Sequence, residues 1–164
     1  MQIRNFLAIV LSHYTDEISH LSYIKVLNEN KVETLKLPTS ITNYRYQHLL
    51  RPNFLLEVEV VKTKKNWILT GILSYQPFCY PKSYHDYLKL AAIISLLNQF
   101  CHEEQPVKIL HWLTKQLDLS NLEAVDLNLF ESELLKQLGF IPELKTNQNL
   151  AKSLTLAKAA SGLI

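Results

Sequence analysis

A chain of 164 residues that is 48% hydrophobic and 20% charged has the composition of a globular protein and the length of one ordinary domain or two small ones. Its apolar runs are all shorter than the ~18 residues that a membrane span requires. The apolar N-terminus lacks a small-residue cleavage site, so we expect a cytoplasmic protein. The net charge of +2 is too small to indicate a nucleic-acid partner, but residues 1–80 carry +3 and residues 81–164 carry −1.

The first eighty residues predict five β-strands and one short helix. Apolar runs and alternating patterns indicate strands at 6–11, 20–27, 32–37, 54–61 and 67–74. A helix is expected at 43–50, with Thr42 or Asn43 as its cap and Pro52 as its stop. Three strands, a helix and two more strands is the order of an OB-fold, a five-stranded Greek-key β-barrel.

The rest of the chain predicts helices. The first is expected at 83–101, and it is apolar enough to be the central helix of its domain. The second begins near Pro106 and runs to 117, and the third runs from a capping box formed by Ser120 and Glu123 to a C-cap at Gly139. A weak fourth helix is expected at 149–160. The predicted fold is therefore α+β, with an OB-like nucleic-acid-binding domain at 1–80 and a small all-helical domain at 81–164.

The sequence contains no constellation that indicates catalysis. Three glycines leave almost no room for the phosphate-binding or nucleophile loops of enzymes. Cys79 and Cys101 lie far apart without paired spacing, so we expect no metal and no other cofactor. We therefore expect a protein that is not an enzyme.

Basic residues and one tryptophan form the candidate DNA-binding set. OB-folds bind nucleic acid across strands two and three and the loops that flank them, with cations on phosphates and aromatic rings on bases. The loop between strands four and five contains three lysines, and further basic residues lie on strands two and three and around the inserted helix. The candidates are Lys62, Lys64, Lys65, Arg45, Arg51, Lys36, Lys25 and Trp67.

Two alternatives to this interpretation stay open. The three loop lysines can also be a solvated hairpin tip. Trp67 alternates with Leu69 and Gly71, so its ring can belong to the core instead. If the loop lysines, Arg45 and Arg51 share one face, the DNA-binding hypothesis gains; if they scatter, a protein-interaction scaffold gains.

The order of features resembles the bacterial recombination-repair family RecO. The segments that show this are FLAIVL at 6–11, YTDEIS at 14–19, LLRPNFLLEVEV at 49–60, the helical stretch YLKLAAIISLL, and LFESELLKQLGFIPEL, in which a helix ends in a Leu-Gly-Phe-x-Pro pattern. The resemblance covers roughly residues 3–145.

The resemblance implies an N-terminal OB domain and a C-terminal helical domain that act in DNA repair without catalysis. It implies binding of single- and double-stranded DNA, annealing of complementary strands, and assembly with RecR. It also implies docking on the acidic tail of the single-stranded-DNA-binding protein, so that RecA is loaded on gaps. For that tail, Lys108 and Lys115 beside Trp112 are the candidate partner-binding residues, against the alternative of an ordinary amphipathic helix.

Two features depart from the family pattern. The basic loop that family members have after strand three reads LPTSITNYR here, with Arg45 as its only cation. The four-cysteine zinc module of many members is missing, so no zinc is expected. The chain resembles a shortened RecO.

Overall fold

The structure, a computed structural model, describes residues 2–38, 47–118 and 122–140. Within these ranges the chain is α+β, and five strands precede three α-helices. The strands are β1 (Ile3–Thr15), β2 (Ser22–Asn28), β3 (Val32–Leu37), β4 (Phe54–Lys62) and β5 (Trp67–Pro77). The helices are α1 (Tyr84–Phe100), α2 (Leu110–Asp118) and α3 (Leu127–Gln137), with 3₁₀ helices at Gln47–Leu49 and Leu122–Ala124.

The five strands form one mixed sheet that closes into a ring. The order around the ring is β1-β2-β3-β5-β4, and β4 pairs back with β1. Every neighbouring pair is antiparallel except β3 and β5, which are parallel and share only two residue pairs, Leu35 with Trp67 and Lys36 with Ile68. The α+β class, with five strands followed by helices, is thus confirmed at this level.

Side chains that alternate along the strands build the interior of the ring. In β4, Leu56, Val58 and Val60 are fully buried, while Glu57 and Glu59 between them are only partly buried. β2 follows the same rule, with Ile24 and Val26 inside and Lys25 outside. The interior cluster comprises Ala8, Val10, Ile24, Val26, Leu35, Leu37, Leu49, Leu50, Leu56, Val58, Val60 and Leu69.

Two of the observed strands are clearly longer than the sequence pattern predicts. β1 extends from the predicted 6–11 to Ile3–Thr15, and β5 extends three residues past the predicted end. Both extensions consist of residues that pair with a neighbouring strand rather than residues that alternate cleanly. Of the helix predicted at 43–50, the described part is the 3₁₀ helix Gln47–Leu49, and residues 43–46 lie outside the described ranges.

By their contacts the described residues fall into two compact units, those within Met1–Tyr80 and Glu103–Ser120, and those within Pro81–His102 and Asn121–Ile164. The first unit therefore includes α2, although the sequence analysis assigned this segment to the helical domain. In this unit the Val107 N–H donates to the Asn30 carbonyl at 2.9 Å, which holds the segment before α2 on the β2–β3 turn.

The second unit is built on α1. Ser83 caps this helix and its hydroxyl accepts from the Asp86 N–H at 3.2 Å. The large apolar side chains of this helix are only partly buried, since Tyr84 and Leu88 are exposed while Ile93 and Leu97 are buried. A helix that is apolar on nearly every side does not reveal its buried face by periodicity alone. α1 packs against α3 and the 3₁₀ helix Leu122–Ala124.

The predicted capping box of the third helix is wrong. The residues from Leu122 to Ala124 form a 3₁₀ turn, and α3 begins only after Asp126, whose carboxylate accepts from the N–H groups of Asn128 and Leu129. Aspartate at this position satisfies two helix N–H groups that lack partners within the helix. The predicted C-cap is confirmed, since Gly139 has φ +83°. Ser120 and the predicted helix at 149–160 lie outside the described residues.

Candidate nucleic-acid interface

Two tyrosines stack on the outer face of the ring. Tyr14 in β1 lies directly opposite Tyr23 in β2, and their rings stack with centroids 5.4 Å apart at an interplanar angle of 20°. A bulge between Val10 and Ser12 shifts the register of β1, so that Tyr14 shares the outer face with Tyr23. Tyr14 is 50% exposed, so one side of the stacked pair remains open to solvent.

Two predicted lysines border this stack. Lys36 in β3 lies directly opposite Tyr23, and Lys25 is two residues beyond Tyr23 on the same strand and face. Both lysines are half-buried, because their aliphatic stems lie on the sheet. We call Tyr14, Tyr23, Lys25 and Lys36 the tyrosine–lysine face.

One carboxylate lies at the border of this face. Thr34, the cross-strand neighbour of Lys25, donates its hydroxyl proton to the Glu103 carboxylate. Glu103 therefore offsets part of the positive charge on the β3 side.

The turn between β4 and β5 presents the other predicted lysines. The Thr63 N–H donates to the Asn66 carbonyl at 2.8 Å, and the Thr63 hydroxyl accepts from the Asn66 N–H at 3.2 Å. This tight turn leaves Lys64 and Lys65 exposed at its tip. The strand that follows this turn, β5, begins beside the tyrosine–lysine face, because its Ile68 pairs with Lys36 of β3.

Trp67 closes one end of the ring. It is half-buried against the interior cluster, the Arg4 guanidinium carbon lies 4.1 Å from its ring centroid, and Lys62 Nζ lies 5.3 Å away. Such cation–π contacts are favourable by about 0.5–2 kcal/mol each. This placement fits the alternative in which Trp67 belongs to the core, with its ring in contact with protein cations.

A partly buried ion pair lies at the same end of the ring as Trp67. Glu33 is only 8% exposed and accepts from Arg4 Nη2 at 2.7 Å, while the Asn28 side-chain amide donates to its other oxygen. Lys31 adds a longer ion pair at 3.7 Å. Sequence reasoning missed Arg4 and Glu33, because residues 29 positions apart give no local signal of their pairing.

Arg51, another of the predicted basic residues, is not part of the tyrosine–lysine face. Arg51 is exposed just before β4, whereas Lys62 ends that strand. β4 spans nine residues, and at the rise of an extended strand this is about 25 Å. Arg45 lies outside the described residues. Of the residues whose clustering would separate the two hypotheses, Lys64 and Lys65 lie together at the tip of the β4–β5 turn, and Arg51 lies at the opposite end of β4.

The three candidate partner-binding residues lie on and before α2. Lys108 is exposed and precedes the helix, which begins later than the sequence indicated. Within α2, Trp112 is half-buried and Lys115 is exposed, and their spacing places them on one side of the helix. Buried Leu113 and Leu117 form the opposite side.

The loop between β1 and β2 is held by Asp16. Its carboxylate accepts from the Ile18 N–H at 3.0 Å and from the Ser19 hydroxyl at 2.8 Å. The hydrogen bond from the Ile18 N–H, and then that from Ser19, lowers the pKa of Asp16 below its usual value of 3.8. His20 closes the loop in the left-handed region at φ 58°, which costs free energy for a residue with a Cβ.

The outer side of β4 and β5 has the opposite character. Thr70 donates to Glu59 at 3.0 Å and Ser74 donates to Glu57 at 3.0 Å, so hydroxyl groups of β5 bind carboxylates of β4. We call these four residues the acidic face. Its charge repels phosphates.

No protein-family model matches this chain, and no curated protein is detectably similar to it in sequence. Among the described residues, no group of three or more histidine, cysteine, aspartate or glutamate side chains could hold a metal ion. No helix in the described part of the chain has the length and apolarity needed to cross a membrane.

Proposed function

We propose that this chain is a nucleic-acid-binding protein of the RecO type, with an OB-like barrel that binds DNA without catalysing a reaction. The observation that supports this most is the stacked pair Tyr14–Tyr23, half open to solvent and bordered by Lys25 and Lys36. Aromatic rings with neighbouring cations on strands two and three are what an OB-fold uses to bind single strands. The ring order and the single parallel pairing support the OB-like assignment.

In this proposal the tyrosines bind bases and the lysines bind phosphates. An unpaired base stacks on the open side of Tyr14 and extends the existing pair of rings, which contributes about 1–3 kcal/mol per base. Lys25, Lys36, Lys64 and Lys65 bind the phosphates on either side. Because these lysines make point contacts with phosphates, binding is independent of base sequence and weakens steeply with salt.

The role in repair rests on the resemblance to RecO. As a recombination mediator, the chain anneals complementary strands and assembles with RecR. It also contacts the acidic tail of the single-stranded-DNA-binding protein, with Lys108, Trp112 and Lys115 as candidate contacts, and promotes RecA loading indirectly. The exposed lysines of this set suit an acidic peptide by charge.

A second candidate is an OB-fold scaffold that holds repair proteins together and binds little DNA itself. Two observations favour it: Arg51 lies far from the β4–β5 turn, and Glu103 reduces the charge beside Lys25. In this case the residues around Trp112 are the functional surface, and the tyrosine–lysine face is not.

Fluorescence anisotropy with a labelled single strand separates the two candidates. We expect salt-sensitive binding by the parent chain. Replacing the exposed ring (Tyr14→Ala) lowers affinity roughly tenfold at every salt concentration, because stacking is lost. The pair Lys64→Ala and Lys65→Ala reduces the steepness of log affinity against log salt by about 1.4, because two phosphate contacts with the single strand are lost.

Matched controls remove the same groups elsewhere. Tyr84→Ala removes an exposed tyrosine of α1, and Lys108→Ala with Lys115→Ala removes two exposed lysines near α2. Binding that falls equally in the controls, or no binding by the parent chain at low salt, contradicts the DNA proposal. Retention of RecR or of the acidic tail peptide by a chain that does not bind DNA supports the scaffold.

A further inference from the structure

We infer that Ile18 is a wedge that stacks on the last base pair where a duplex meets a single strand, so that the preferred ligand is a single-strand–duplex junction. This inference rests on the proposed DNA binding at the tyrosine–lysine face. It adds a substrate class and a binding residue to that site.

Ile18 is almost entirely in solvent. It is 92% exposed, the highest value among the large hydrophobic side chains of the described residues. A single exposed apolar residue needs no explanation by itself. What distinguishes Ile18 is that the chain holds it in one place and that this place adjoins the proposed base-stacking site.

The loop that presents Ile18 is fixed at both ends. The Asp16 N–H donates to the Leu21 carbonyl and the His20 N–H donates to the Asp16 carbonyl, each at 2.8 Å. Asp16 also accepts from the Ile18 N–H itself. The left-handed conformation of His20 is a strained feature that these hydrogen bonds maintain. Ile18 is therefore presented without the loss of loop entropy that binding by a flexible segment entails.

The loop begins where the tyrosine pair ends. Thr15 and Ser22 form the last residue pair of β1 and β2, and the pair before it is Tyr14 with Tyr23. The Thr15 and Ser22 hydroxyls lie 3.0 Å apart and tie the strands together at this point. A base on Tyr14 and a base pair against Ile18 are thus bound by adjacent parts of one hairpin.

The chemistry fits a junction better than a continuous strand. An aliphatic side chain has no polar group for a phosphate or a base edge, but it stacks on or between bases, as the apolar wedges of DNA-bending proteins do. At a junction the terminal base pair exposes such an apolar surface, and the adjacent unpaired base is free to reach Tyr14. Lys25 and Lys36 then bind the backbone of the single strand.

The test uses the full chain and a hairpin duplex with a single-stranded extension, with 2-aminopurine in the terminal base pair. Binding of the parent chain is expected to change the fluorescence of that base. Ile18→Ser is expected to remove most of this change and to weaken junction binding about tenfold, at the lower end of what burying one aliphatic side chain contributes. Its affinity for a plain single strand is expected to stay within about twofold, because stacking on Tyr14 is unaffected.

Two further variants keep the outcomes separable. Leu129→Ser removes an exposed leucine of α3 and is expected to leave both affinities unchanged. Asp16→Ala keeps Ile18 but frees the loop, and is expected to reproduce the junction defect in part. Equal losses of Ile18→Ser on both ligands, or no loss on the junction, overturn the wedge while leaving the DNA proposal intact. If neither ligand binds the parent chain, the proposed function itself fails.

Discussion

The two outer faces of the ring are built by the same alternation of side chains and differ in almost everything else. On the tyrosine–lysine face, aromatic rings contact each other and the charged groups are cations. On the acidic face, carboxylates accept hydrogen bonds from neighbouring hydroxyls. One face therefore has open stacking surface and charge that attracts phosphates, and the other has neither. The fold alone does not select a nucleic-acid surface; the residues at the outward positions do.

The largest expected effect comes from making the tyrosine–lysine face as negatively charged as the acidic face. Lys25→Glu combined with Lys36→Glu places carboxylates beside the tyrosine stack. We expect affinity for a single strand to fall at least about tenfold at low salt, because attraction of phosphates becomes repulsion. Circular dichroism checks the fold, since both residues point outward. Unchanged affinity with an intact fold would mean that the lysines do not contact DNA.

The reverse exchange asks whether charge alone makes a binding face. Glu57→Lys combined with Glu59→Lys makes the acidic face basic but adds no aromatic stack. We expect affinity to rise about two- to fivefold through general attraction of polyanions, with a steeper salt dependence. Tyr14→Ala in this background is still expected to lower affinity, because stacking remains on the first face. Affinity that no longer depends on Tyr14 would show that charge suffices.

The smallest expected effect concerns the loop beside the tyrosine stack. The pKa of Asp16 is lowered in the folded chain, so its ionised form stabilises the loop at pH values above 3.8. This contribution is lost as the pH falls through the folded-state pKa, which lies below 3.8. An NMR titration of the Asp16 carboxyl carbon, followed together with the Ile18 amide, is expected to show both signals moving in that acidic range. An Asp16 midpoint above 3.8 would contradict the hydrogen bonds assigned to it.

The strands were largely predictable because their signal is local. The 20–27 pattern placed Tyr23 and Lys25 on one face and Ile24 and Val26 on the other, as observed. β3 was predicted with its observed limits, since a turn precedes it and Pro38 follows. Period-two alternation bounded by turn residues is sufficient for such elements.

The contacts that make the candidate site were not predictable in the same way. Tyr14 lies beyond the first strand that the sequence predicts, at 6–11, and only the bulge in β1 and the register with β2 bring it onto Tyr23. The contact of Arg4 with Trp67 likewise requires that the ring close. Pairing between strands depends on register, and one residue of shift exchanges the two faces of a strand.

The predicted starts of the second and third helices are wrong, because the sequence offers more than one possible starting point for each. Ser120 with Glu123 resembles a capping box, but Asp126 provides the cap of α3 and the intervening residues form a 3₁₀ turn. The second helix likewise starts at Leu110 and not near Pro106. Caps are common in polar connectors, so a sequence often offers more of them than it uses.

The joint between β3 and β5 has a consequence for how the chain folds. It contains two residue pairs, whereas every other neighbouring pair of strands shares at least six. The hairpins β1–β2, β2–β3 and β4–β5 connect residues close in sequence, whereas this joint and the pairing of β1 with β4 both connect residues far apart along the chain. Closing such long loops is entropically costly, and the joint has only two residue pairs to offset that cost. We expect the hairpins to form early and the joint to form late and to exchange its amide protons first. The tyrosine–lysine face and the lysines of the β4–β5 turn therefore become one continuous surface only when this joint forms.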